Sequence, residues 1–183
     1  MGKLEGRTVA FLATDGVELV ELQRPLEAVR QAGGTAKVVA LDTEPIQGFN
    51  HHDKGEQVDV DLAVADADPG SFDALVLPGG VINPDALRVD PDAVEFVRGF
   101  FDQDKPIAAI CHGPWTLIEA GVVDGRKMTS WPSLKTDLRN AGAEWSDEPL
   151  VVDGRLITSR KPDDLDVFCS ALVERFADAP VRA

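Results

Sequence analysis

Apolar positions along this chain gather into short, nearly continuous runs, and between them apolar and polar residues recur at helical spacing. TVAFLAT (8–14), TAKVVALD (35–42) and FDALVLPGG (72–80) are dominated by Val, Leu, Ala and Phe, the pattern of strands covered on both faces. Their alternation with helix-like segments predicts an α/β fold: a doubly wound, flavodoxin-like, mostly parallel sheet with helices on both faces.

Punctuation residues divide the rest. DGVELVEL after the first strand reads as a loop with at most a turn of helix, and Pro25 is placed to open a helix that ends at Gly33 and Gly34. Residues 45–64, with Gly48, Gly55 and the alternating QVDVDLAV, predict a small antiparallel excursion rather than another parallel strand. NPDALRVDPDAVEFVRGFFDQD carries one or two helices, and PIAAICHGPWTLIEAGVVDG predicts a short strand, an abrupt turn and a helix ending at Gly121. A short strand near KMTS follows, then a helix in LKTDLRNAG and a VVDGRLIT hairpin turning at Asp153-Gly154. An amphipathic helix from about Asp163 to Phe176 closes the chain, and no repeat or linker interrupts what reads as one domain over residues 1–183.

Composition narrows the function classes. With 44% hydrophobic and 27% charged residues, the 183-residue chain is ordinary for a globular protein. No apolar run approaches the roughly 18–20 residues that cross a bilayer, and MGKLEGRTVAFLAT leads into a strand without a cleavage site, so a cytoplasmic protein without a membrane partner is expected. A net charge of -14 repels phosphates and disfavours nucleic acid. Cys111 and Cys169 are far apart in unlike settings and read as two free thiols.

Cys111 carries the candidate chemistry. It stands where a strand turns abruptly into a helix, an elbow that presents a side chain at the carboxyl edge of the sheet beside free helical N–H groups. Those groups favour negative charge, so a thiol there is expected to ionise more easily than an average cysteine. Gly113 relieves crowding at the turn, and Pro114 suits a first helical turn. On residue type alone, a small buried cysteine at a strand end is the competing reading; the AICHGP context favours the nucleophile.

AICHGP (109–114), LVLPGG (75–80) and SWPSLKTDLRNAG (130–142) closely resemble the PfpI family of the ThiJ/PfpI superfamily, whose domains are similar to class I glutamine amidotransferases. Intracellular cysteine peptidases, stress proteins and deglycases belong to that superfamily. The resemblance implies Cys111 as nucleophile, His112 as its base or orienting group, and the amides of Gly80 and His112 as an oxyanion-binding pair. It assigns a glutamate of the VELVEL segment to the sulfur, with Glu18 as the match and Glu21, one turn later, as competitor. Asp85 aligns with a glutamate that completes a triad across a subunit boundary in some peptidases; being one methylene shorter, it equally fits a helix cap. Trp131 departs from a position where tyrosine is frequent, which removes a hydroxyl.

No cofactor is implied. His51 and His52 read as solvated loop residues rather than metal ligands, and Cys169, among Leu165, Phe168, Leu172 and Phe176, reads as core. The family likeness suggests a stress role and a homodimer or larger assembly, with the apolar LVEL segment (19–22) as a contact. The expected function is Cys111 thiolate chemistry on a small carbonyl, acyl or peptide substrate, with peptide hydrolysis and glyoxalase- or deglycase-like reactions both open. Glutamine amidotransfer is disfavoured because no histidine follows His112. A non-enzymatic redox sensor or holdase-like protein using reversible oxidation of Cys111 is the alternative.

Overall fold

A computed structural model of the chain describes residues 2–179. The layering is set by β1 (Thr8–Leu12), where Val9 and Phe11 face one side of the sheet and Ala10 and Leu12 the other, all four fully buried. Next come β2 (Val17–Glu18), α1 (Leu19–Gln31) and β3 (Thr35–Ala40). The hairpin of β4 (Ile46–Asn50) and β5 (Asp53–Val58) precedes β6 (Leu62–Ala63) and β7 (Ala74–Leu77). Helices α2 (Ile82–Leu87) and α3 (Pro91–Asp102) lead to β8 (Ile107–Ile110) and α4 (Pro114–Glu119). The chain then forms β9 (Lys127–Met128), α5 (Lys135–Asn140), β10 (Glu144–Trp145), β11 (Leu150–Asp153), β12 (Leu156–Ser159) and α6 (Leu165–Ala177).

The main sheet runs β11-β12-β8-β7-β1-β3-β6, parallel throughout except for β11, which pairs antiparallel with β12. Its longer parallel strands stand in the flavodoxin-like order β3-β1-β7-β8-β12, which puts the reversal of strand order between β1 and β7. On one face, Leu22, Leu26 and Val29 of α1 and Phe168, Leu172 and Phe176 of α6 share a core with Val9, Phe11 and Val38. On the other, Phe96 and Phe100 of α3, Leu117 of α4 and Leu138 of α5 pack with Ala10, Leu12, Leu75 and Leu77. Among the described residues no helix is long and apolar enough to cross a membrane.

Three expectations need correction. Helix α1 opens at Leu19, not at Pro25, which lies inside it; Leu19, Leu22, Leu26 and Val29 form a buried stripe that outweighs the missing proline N–H. The LVEL segment is therefore helical rather than a loop, and Leu19, Glu21 and Leu22 are buried within this chain. The antiparallel excursion exists as the β4–β5 hairpin, joined to β2, but the end of the same stretch returns to the main sheet as β6, parallel to β3.

Candidate active site

The carboxyl ends of β1, β7 and β8 converge beside the point where strand order reverses, and each contributes to one cluster. Strand β8 ends in Cys111, whose φ of +62° lies in the left-handed region. For a residue with a Cβ this backbone costs about 1–2 kcal/mol and needs fixing by its neighbours. Ser159 at the end of β12 accepts from the Cys111 N–H at 3.2 Å, and the Trp131 N–H donates to the Cys111 carbonyl at 2.9 Å. The turn closes with the Gly113 N–H donating to the Ile110 carbonyl at 2.9 Å. A Cβ on Gly113 would lie 2.5 Å from the Leu77 carbonyl oxygen, so only glycine lets the turn pass β7 this closely.

The sulfur meets an imidazole, two amides and a carboxyl. Cys111 Sγ lies 3.2 Å from His112 Nδ1, and His112 Nε2 lies 3.3 Å from Ser133 Oγ. The His112 ring stacks on Trp131 at 5.9 Å and meets Trp115 edge-on at 5.1 Å. The Gly80 and His112 amides lie beside the Cys111 sulfur and favour its anion. Gly79 is wedged beneath: a Cβ there would fall 2.5 Å from Glu21 Oε2 and 2.6 Å from Cys111 Cβ.

The carboxyl beside Cys111 belongs to Glu21, not Glu18: its Oε2 and Cys111 Cβ flank the same space at Gly79. Glu18 immediately precedes α1, and its Oε2 accepts from the His51 N–H at 3.0 Å, which turns it toward the β4–β5 hairpin. One helical turn on, Glu21 is fully buried; its Oε2 accepts from the Gly79 N–H at 2.9 Å, while Oε1 has no hydrogen-bond partner by ordinary geometry. Burial raises Glu21 from its ordinary 4.5 to about 8, so the acid is protonated at neutrality. The apolar stripe of Leu19, Leu22 and Leu26 lies on another side of α1 from Glu21, which shares its side with the buried Pro25 at i+4, so that stripe carried no signal for the acid.

Burial works against the expected ionisation. The Cys111 residue is 7% exposed, and burial, followed by Glu21 wherever that acid is ionised, pushes its thiol up, against the pull of the two amides. Burial lowers His112, which favours a neutral ring. Burial thus favours the neutral form of each of the three groups, and at the sulfur the two amides oppose it.

Asp85 is not part of the cluster. It is an exposed residue within α2, whose capping position is Val81 without a side-chain hydrogen bond, so the structure supplies no capping role for Asp85 either. His51 and His52 are exposed on the β4–β5 turn, and no group of three potential metal ligands occurs among the described residues. Cys169 lies buried on α6. Ser133, which sequence reasoning missed, sits two residues from Trp131 within the quoted SWPSL stretch; a lone serine there carried no signal.

Comparison with known proteins finds relatives along nearly the whole chain. The profile described as the DJ-1/PfpI family matches residues 7–175. A deglycase of Thermococcus kodakarensis is 45% identical over 166 residues, covering 91% of this chain and 97% of its own. Bacillus subtilis YraA, whose name marks it as a candidate cysteine protease, is 41% identical over 162 residues, with 88% and 94% covered. Drosophila melanogaster DJ-1beta superposes with a TM-score of 0.84 at 30% identity, covering 93% of this chain and 90% of that one. A two-domain Anabaena variabilis protein with DJ-1/ThiJ/PfpI-like and ferritin-like domains gives a TM-score of 0.87 at 38% identity. That match covers 92% of this chain and 48% of the Anabaena chain, so this chain spans about half its length.

Proposed function

The chain belongs to the DJ-1/PfpI family, and on that premise we propose that it is a cysteine-dependent enzyme acting on small carbonyl compounds, with Cys111 as nucleophile. The elbow carries this reading: a strained Cys111 whose sulfur meets His112 Nδ1 at 3.2 Å beside two amides. As Sγ bonds to the carbonyl carbon, its proton passes to Nδ1 and the carbonyl π pair moves to oxygen. The Gly80 and His112 amides receive that oxygen, and the protonated Glu21 donates toward the sulfur.

Relatives with deglycase and candidate protease names leave both reactions in view, and one observation favours an aldehyde or oxoaldehyde over a peptide amide. Within this chain His112 Nε2 faces a serine hydroxyl rather than a carboxylate. Burial of Cys111 likewise gives the redox-sensor alternative less support than an exposed thiolate would.

Methylglyoxal consumption tests the proposal. Wild type turns it over and Cys111→Ala does not; turnover that survives the substitution would remove the nucleophile. Pairing as a homodimer is supported by apolar exposure on and beside α2, at Val81 (53%), Ile82 (55%) and Val89 (80%). Sedimentation of the purified chain decides it.

A further inference from the structure

We infer that Ser133 is a positioning residue for this site: its hydroxyl holds the His112 ring in the tautomer that carries the proton on Nε2, leaving the Nδ1 lone pair aimed at Cys111 Sγ. The inference rests on the proposed role of Cys111, but it stands on its own geometry. Nε2 is 3.3 Å from Ser133 Oγ, and Nδ1 is 3.2 Å from Sγ, so the imidazole is spanned along the line between the two groups. Trp131 and Trp115 hold the ring from a face and an edge, which leaves little freedom to turn away.

The hydroxyl is located relative to the sulfur by the backbone. Ser133 lies on the turn Pro132–Leu134, whose preceding residue, Trp131, donates its N–H to the Cys111 carbonyl at 2.9 Å. The Leu134 N–H donates back to the Trp131 carbonyl at 3.0 Å, and the Leu134 side chain is fully buried in the core. Elbow and hydroxyl are thus parts of one hydrogen-bonded unit.

A hydroxyl does something here that a carboxylate would not. A carboxylate at Nε2 keeps its proton permanently and stabilises an imidazolium, the partner of a preformed thiolate. Serine is uncharged: in the proposed tautomer it accepts from Nε2–H, and its own proton is free to point to water. The ring stays neutral until the sulfur attacks. During attack the Sγ–H proton moves to Nδ1, and the transient imidazolium keeps its Nε2–H bond to Oγ.

Imidazole ¹⁵N NMR on the full chain, with the His112 signals assigned by loss in His112→Gln, reads the tautomer directly. Wild type shows the Nε2–H form, Ser133→Ala a mixture of both tautomers, and Ser133→Thr the wild-type pattern. In methylglyoxal turnover, Ser133→Ala loses about 10-fold in kcat with KM little changed, and Ser133→Thr recovers most of it. An unchanged tautomer or an unchanged kcat in Ser133→Ala overturns the inference. If wild type turns over no carbonyl compound, the functional proposal fails instead, and the NMR comparison still decides the part played by Ser133.

Discussion

Cys111 and Cys169 are hidden to nearly the same degree, 7% and 9% exposed, and burial raises both thiols, that of Cys169 to about 11. Their surroundings differ in kind. Cys169 lies in regular helix on α6 beside Phe168 and Leu172, and its charged neighbours are Arg24 and Asp166, already paired with each other at 2.6 Å. Cys111 has a left-handed backbone, an imidazole nitrogen at 3.2 Å, two amides beside the sulfur and a buried acid. Burial alone therefore makes a thiol quiet rather than reactive. What sets Cys111 apart is a proton acceptor within reach and donors placed where negative charge develops during attack.

The strongest way to break this contrast is to exchange the two positions in an activity assay. Cys111→Ala loses roughly 1,000-fold or more of methylglyoxal turnover, whereas Cys169→Ala stays within about two-fold of wild type. Equal losses would show that the polar surroundings of Cys111 are incidental.

Glu21→Gln sharpens the comparison through its pH dependence. The folded protein binds the Glu21 proton up to about pH 8, while the unfolded chain releases it near 4.5. Between those values the folded state holds more protons, so this group makes stability fall as pH rises. Glutamine has no such term, so in urea unfolding the variant matches wild type near pH 4.5 and exceeds it by a few kcal/mol near pH 9. A constant difference across that range would mean that the acid is not held protonated.

Gly79→Ala tests the packing under the sulfur. The added methyl would press on both Glu21 Oε2 and Cys111 Cβ, costing about 1–3 kcal/mol in thermal unfolding and displacing the acid from the thiol. A neutral result would show that the cluster is looser than its contacts imply. The smallest effect belongs to Cys169→Ala, with about 1 kcal/mol lost in stability through a minor packing defect.

The strand-to-helix elbow, the alternation of core strands with helices and the β4–β5 hairpin were legible because each is written locally, in a run, a period or a turn dipeptide. The helix boundary at α1 was not, since Pro25 signals a start while the stripe from Leu19 to Val29 is stabilised by burial against the sheet. The same error hid the right acid: a loop offers Glu18 and Glu21 equally, whereas a helix turns only Glu21 toward the sulfur.

Taken alone, the amino-acid order determined the α/β architecture and the place of Cys111 at a strand end, because periodicity and turn chemistry act over a few residues. Tertiary structure alone decided how far the thiol is desolvated, which carboxyl meets it and that Ser133 reaches His112. These depend on distances between segments remote in the chain, and electrostatic and hydrogen-bond energies change over ångströms that no local pattern records.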